Sequence, residues 1–202
     1  MYFVLASPMD LPIFVKKMFR SILISFLFTL VFSCSQKGEV NNQPSSSFFS
    51  MIDFMEEEKK WMVNDNISLT KILSLNGETD TLYIVQPNFA SELDVFIKAD
   101  INRPALSDKY RVDSIFSSGK LYKITYTAKD EKMTTRKLSV QVDNQNKAVF
   151  IDIRLFNGSP ITKNVQHLIY RPNNGYVIKN EQYFMGNKDE IMVEGFFKQK
   201  RR

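Results

Sequence analysis

Apolar residues recur along this chain with three rhythms, and each implies a different element. At the start of the polar-apolar body, Phe48, Ile52, Met55 and Met62 fall at spacings of three, four and seven, while Glu56, Glu57, Glu58, Lys59 and Lys60 lie mostly off that stripe. A period near 3.6 is that of an amphipathic helix, here with Ser47 placed to cap its first turn. A second helix is expected after Pro87-Asn88, with Phe89, Leu93, Phe96 and Ile97 as its apolar face and Arg103-Pro104 as its stop. Between the helices, residues 67–75 and 78–85 read as two strands joined by Asn76-Gly77, the dipeptide that most readily takes the positive φ angles of a tight hairpin.

From Tyr110 the rhythm becomes alternating, the period of a strand with one buried face. Strands are predicted at 111–117, 120–128, 135–142, 148–156, 164–170, 176–183 and 190–197. Turn residues separate them: Ser118-Gly119, Asp130-Glu131-Lys132, Asp143-Asn144-Gln145-Asn146, Asn157-Gly158-Ser159-Pro160, Pro172-Asn173-Asn174-Gly175 and Gly186-Asn187-Lys188-Asp189. Connections this short join antiparallel neighbours and leave no room for parallel crossovers, so the strands form a meander. Leu138, Val140 and Val142 face one side together with Val149, Ile151, Ile153 and Leu155, while Lys137 and Asp152 face the other. The predicted fold class is α+β: a large twisted antiparallel sheet of about seven to nine strands with two amphipathic helices on one face.

The third rhythm is no rhythm at all. Residues 21–32 are almost wholly apolar, follow Lys16, Lys17 and Arg20, and run into Ser33 and Cys34. A basic segment, an apolar core and a small residue at the cut make a secretory signal, which assigns residues 1–33 to a leader. A membrane-spanning helix is the competing reading. About 13 residues at 1.5 Å each reach roughly 20 Å, whereas a bilayer core of about 30 Å needs nearer 20 residues. Extending the run backwards would bury three cations at about 2.5 to 3.5 kcal/mol each. Residues 1–17 exceed what such a leader needs, with Pro8 and Pro12 interrupting them, so translation is expected to start later, at Met9 or Met18.

Val31-Phe32-Ser33-Cys34 resembles the lipobox of bacterial lipoproteins, with an aliphatic residue three before the cysteine and a small one just before it; Phe32 is bulkier than the usual residue there. The resemblance implies cleavage between Ser33 and Cys34, a diacylglyceryl group on the Cys34 sulfur and, usually, acylation of the new amino terminus with a fatty acid such as palmitate. Several acyl chains, at about 0.8 kcal/mol per buried methylene, anchor far more firmly than one. Residues 34–46 then form the lipidated cysteine and a polar tether, 47–197 a single domain, and 198–202 a basic tail that touches anionic lipid or, more commonly, is simply solvated. Ser35 beside the cysteine resembles the pattern of lipoproteins released to the outer membrane of two-membrane bacteria, which implies an envelope address facing the periplasm. The segment Asp100-Ile101-Asn102-Arg103-Pro104-Ala105-Leu106 and the element order are similar to uncharacterised lipoproteins of such bacteria, a likeness that transfers no function.

Charge and composition remove function classes. The net charge of +5 falls by two once Lys16, Lys17, Arg20 and Asp10 leave with the leader, too small an excess for nucleic-acid binding. A zinc site needs three or four His and Cys ligands; the chain holds one histidine, His167, and one cysteine. His167 is a candidate general base, but no Gly-x-Ser-x-Gly elbow accompanies it and a hydrogen-bonded strand histidine is the simpler reading. An acylated Cys34 excludes thiol catalysis and disulfides, and the 7 glycines make no phosphate-cradling loop, so no cofactor is expected. Glu56, Glu57 and Glu58 point in different directions on a helix, as a solvated face would. Asp143-Asn144-Gln145-Asn146 lacks the sixth-position glycine and closing glutamate of a calcium loop and reads as a turn.

Aromatics are the one excess, 17 Phe and 8 Tyr. Tyr122, Tyr126, Phe150, Phe156, Tyr170, Tyr176, Tyr183, Phe184, Phe196 and Phe197 lie in or beside strands, either as core and cross-strand pairs or as the lining of an apolar cavity. The expected function is that of a membrane-anchored, non-enzymatic binding or scaffold domain, its partner unspecified. The alternatives are a carrier or sensor of a lipophilic ligand held between sheet and helices, and a hydrolase using carboxylates or Ser and Lys. A filled sheet face leaves surface recognition; a hollow one points to cargo.

Overall fold

A computed structural model describes residues 48–199. The leader, Cys34, the tether, Ser47 and residues 200–202 lie outside the described residues. Helix α1 spans Met51–Asn64, the hairpin strands β1 and β2 Ser68–Leu75 and Glu78–Ile84, and helix α2 Phe89–Lys98. A single turn of 3-10 helix at Pro104–Leu106 leads into seven strands: β3 (Tyr110–Ser117), β4 (Lys120–Ala128), β5 (Thr135–Val142), β6 (Ala148–Gly158), β7 (Thr162–Arg171), β8 (Gly175–Phe184) and β9 (Asn187–Lys198). The order of helix, two strands, helix and seven strands is the predicted one. All nine strands form one antiparallel sheet in the order β2-β1-β9-β8-β7-β6-β5-β4-β3. The meander therefore ends in the interior of the sheet: β1 pairs with β9 from Ser68↔Lys198 to Leu75↔Ile191, leaving β2 and β3 as the edges among the described residues.

Turn chemistry sets the register. At Asn76-Gly77, Ser118-Gly119 and Met185-Gly186 both central residues take positive φ, the conformation whose twist matches that of the flanking strands. The first two are the predicted separators. The third corrects a prediction: Asn187, Lys188 and Asp189 were assigned to the turn and instead pair within β9, because Met185 takes a φ of 48° that its residue type does not advertise. Likewise Asn157 and Gly158 continue β6 rather than ending it.

Helix α1 departs from its predicted face. Ser50, not Ser47, supplies the N-cap, accepting from the Asp53 amide, and the carboxylate of buried Asp100 accepts from Met51 N at 2.8 Å and from Asn102 N at 3.1 Å. The later start leaves Phe48 ahead of the helix; the buried stripe is Met51, Met55 and Met62, with Ile52 at 41% exposure. Glu58, seven residues after Met51 and four before Met62, lies on that stripe. Helix α2 follows its prediction at the start, where Asn88 accepts from Ser91 N, but stops at Lys98; Pro104 opens the 3-10 turn instead of closing the helix.

Both helices pack on the same sheet face. Phe54 and Phe96 meet Tyr170, Phe96 also meets Tyr176, and Trp61 and Phe89 meet Phe197. Cross-strand register aligns Tyr170 with Tyr176, and Phe197 follows Gly195 on the same face of β9. Leu138, Val140, Ile151, Ile153 and Leu168 complete a core from which water is excluded, each buried side chain contributing about 1.5 to 3 kcal/mol. Val149, predicted inward, is 45% exposed: the register slips between Gln141↔Phe150 and Val142↔Ala148, so Val149 has no cross-strand partner and the alternation breaks there.

Candidate functional site

The face of the sheet opposite the helices carries no covering element among the described residues, and strand register lines up its side chains in rows. One row runs Thr125, Ser139, Asp152, Ile169, Val177, Glu194, Ile72 and Thr81 across β4 to β2. The next runs Thr127, Lys137, Arg154, His167, Lys179, Met192, Ser74 and Thr79. Its middle is basic: the cations Lys137, Arg154 and Lys179, with His167 between the last two, sit side by side on four adjacent strands, about 4.8 Å from one strand to the next. Sequence reasoning missed this row because its members are dispersed over more than forty residues and converge only through register. Each strand contributes only one of them, so no single strand carries the signal.

Two residues of this row were named from sequence: Lys137, placed on this face as expected, and His167, the candidate general base. Its Nε2 lies 3.2 Å from Asp152 Oδ2, and both side chains are about a quarter exposed. Arg154 approaches the other Asp152 oxygen at 3.8 Å. Ser139, the neighbour of Asp152 on the adjoining row, shares its hydroxyl with Thr125 at 3.1 Å, so that serine is committed to another strand and not to the histidine. Beyond Lys179 a lattice of alternating charges joins Lys179 and Lys188 to Glu181 and Glu190 at 3.1 to 3.2 Å. The two carboxylates hold both lysines above the ordinary lysine range, and the lysines hold Glu190 below the carboxylate one. Arg171 and Arg136 lie over the rings of Phe150 and Phe156, exposing guanidinium and ring together on this face.

On the helix side two clefts lie at the ends of α1. A cleft of about 600 Å³ lies between the start of α1 and the β5–β6 and β7–β8 turns, lined by Phe49, Phe54, Glu57, Glu58, Lys147 and Pro172 among others. A second, about 870 Å³, lies where Asp65, Asn66, Val85, Pro87 and Gln199 meet at the other end of α1. Of the predicted solvated carboxylates, Glu57 is exposed and Glu56 pairs with Lys59, but Glu58 is partly buried and accepts the Tyr170 hydroxyl at 2.7 Å. Burial pushes the Glu58 carboxyl up despite that hydrogen bond, and pushes the Tyr170 phenol far up in turn. Glu92 of α2 makes the matching contact with the Tyr176 hydroxyl at 2.6 Å, yet it has a counter-ion, Lys71 at 2.9 Å, where Glu58 has none among the described residues.

The sign of the Glu58 effect follows directly. With the folded pKa above the unfolded one, folding favours the protonated form; that contribution is complete below the unfolded value near 4.5 and is lost as pH rises through the folded value. Glu58→Gln keeps an acceptor for Tyr170 and removes the charge. Its stability should exceed that of the natural chain at pH 7, by less than about 1 kcal/mol because solvent still reaches the group, and the gain should vanish near pH 4. Urea melts at the two pH values measure it; an equal difference at both contradicts the assignment.

Asp143, the first residue of the loop compared with a calcium site, accepts from Gln145 N at 2.8 Å and Lys147 N at 2.9 Å, which spends its carboxylate on the turn and lowers its pKa. Among the described residues no three of His, Cys, Asp and Glu gather as a metal-holding group, and no helix is long and apolar enough to cross a membrane. Of the aromatics, Tyr126, Tyr170 and Tyr176 are core, Phe150 and Phe156 belong to the open face, and Phe184 and Tyr122 are exposed. Comparison with protein-family models, with curated proteins and with solved structures finds no match to this chain, so its chemistry is read from its own residues.

Proposed function

We propose that this protein is a lipid-anchored domain of the cell envelope that recognises an acidic partner on the open face of its sheet. The carrying observation is the basic row Lys137, Arg154, His167 and Lys179 on a sheet face with no covering element among the described residues. Three cations and a histidine in line favour a partner that brings carboxylates or phosphates in an extended array, with the guanidinium-on-ring pairs at Phe150 and Phe156 supplying apolar contact beside them. Surface recognition is favoured over an enclosed lipophilic cargo by the packing between sheet and helices. Met51, Met55, Met62, Leu93 and Phe96 have no solvent exposure, and both clefts lie at the ends of α1 rather than under it. The anchor rests on the lipobox-like Val31-Phe32-Ser33-Cys34, and the periplasm-facing outer-membrane address on Ser35.

Photo-crosslinking in cells tests the face. A crosslinking side chain at Arg154 should give one discrete adduct, weakened about tenfold when Lys137→Glu reverses a neighbouring charge, and the same group at Lys60 on the exposed side of α1 should give none. An adduct from Lys60 alone, or one indifferent to Lys137, would move recognition elsewhere.

A further inference from the structure

A sheet edge is a row of unpaired backbone donors and acceptors, and this sheet has two. On β2 the charged residues are Glu78 and Asp80, with no cation, so no register of two such edges gains an opposite-charge pair. Edge β3 differs. From Arg111 to Ser117 every residue is exposed, with Val112 at 48%, and its charges are one of each sign, Arg111 and Asp113, two residues apart.

The direction of its free backbone groups follows from the ladder. Lys129 N donates to Lys109 O at 2.9 Å, and in an antiparallel pair alternate residues bond inward. Continuing that alternation along the register, Arg111 and Asp113 bond inward to Thr127 and Thr125, leaving the N–H and C=O groups of Tyr110, Val112 and Ser114 pointing off the edge.

We propose that β3 is a self-association edge, on which a second copy of this chain adds antiparallel about a two-fold axis through Val112. Charge selects that register. With Val112 opposite Val112 of the second copy, Arg111 faces Asp113 of the second copy and Asp113 faces Arg111 of the second copy. Shifting the axis to residue 111 sets two arginines face to face, and shifting it to residue 113 sets two aspartates so. The selected register also exchanges backbone hydrogen bonds at the outward-facing positions, Val112 with Val112 and Tyr110 with Ser114. The bulge between Ile115 and Phe116 ends the complementary stretch, since pairing beyond it is out of register. Because Arg111 aligns with Thr127, it lies on the open face, and a two-fold normal to the sheet keeps both open faces on one side. The pair then presents two cationic rows to one partner, a consequence that rests on the function proposed above, whereas the pairing itself does not.

Cysteine linking of the full-length, membrane-bound protein reads the register. Chains carrying Arg111→Cys and chains carrying Asp113→Cys, produced together and mildly oxidised, should yield a disulfide-linked pair; either alone should not, nor should Arg111→Cys with Ile115→Cys, which samples the shifted register. Arg111→Asp should weaken self-association of the unlinked chain about tenfold, and Arg111→Asp with Asp113→Arg should restore it. Absence of the mixed product, equal linking in the shifted pair, or failure of the double reversal to restore association overturns the proposal. Loss of the adduct at Arg154 with linking intact would instead count against the function and leave the pairing standing.

Discussion

Gly175→Ala should cost the domain roughly 3 kcal/mol and lower its melting temperature by about 10 °C, whereas Gly77→Ala, also at positive φ, should cost only about 1 kcal/mol. The contrast is one of space. A methyl on Gly77 meets nothing within 4 Å, so only backbone strain opposes it. A methyl on Gly175 would stand 1.9 Å from the carbonyl oxygen of Gly195 and 3.2 Å from Cα of Phe196. Those atoms are backbone of the neighbouring strand, and neither strand is at an edge, so relief requires parting β8 from β9 next to the Phe197 N to Asn174 O bond at 3.0 Å.

The close approach has a purpose in the packing. Gly195 lies between Lys71 and Tyr176 in register, and the Tyr176 ring leans over the space a side chain would fill, a Cβ at Gly195 falling 2.4 Å from Tyr176 Cζ. From that position the Tyr176 hydroxyl and the Lys71 ammonium both reach Glu92, clamping α2 to the centre of the sheet. Denaturant midpoints with an unchanged m-value measure the loss. Equal effects at the two glycines would contradict the close-approach account.

Much of this fold was legible in the chain because its information is local. Alternation from Tyr110 onward, Asn76-Gly77, Ser118-Gly119 and the Asn88 cap each specify their own element, and the elements appear in the predicted order. What failed was information carried by distant residues. Asp100, buried and 49 residues from Met51 in sequence, holds the first turn of α1 and so fixes Met51 in the core, a contact no local pattern announces. The bulge that frees Val149 is a property of the β5–β6 pair, and the docking of β1 on β9 joins residues more than a hundred apart. The cationic row was illegible for the same reason: Lys137 and Lys179 are neighbours-but-two only across strands. His167 was visible by being alone, yet its partner Asp152 is set by the β6–β7 register.

Cys34→Ser carries the second large expectation. Under the anchoring proposal, thioether formation at the Cys34 sulfur precedes cleavage of the leader, so the serine chain should keep residues 1–33 and take up no labelled fatty acid. The acylated natural chain should resist extraction by high salt and alkali, since several acyl chains at about 0.8 kcal/mol per methylene outweigh any electrostatic attachment. Replacing the basic residues Lys200, Arg201 and Arg202 by alanine should leave that resistance unchanged. If the serine chain is processed and labelled as before, the anchor lies elsewhere.

The proposed function requires a filled domain, tethered by lipid, that works through its surface. Native mass spectrometry of the protein extracted from membranes measures this in a single spectrum. The predicted species begins at Cys34, carries covalent acyl chains and holds no noncovalent lipid; a chain that retains residues 1–33 with an unmodified sulfur, or one that brings a lipophilic molecule with it after the detergent is stripped, would contradict it.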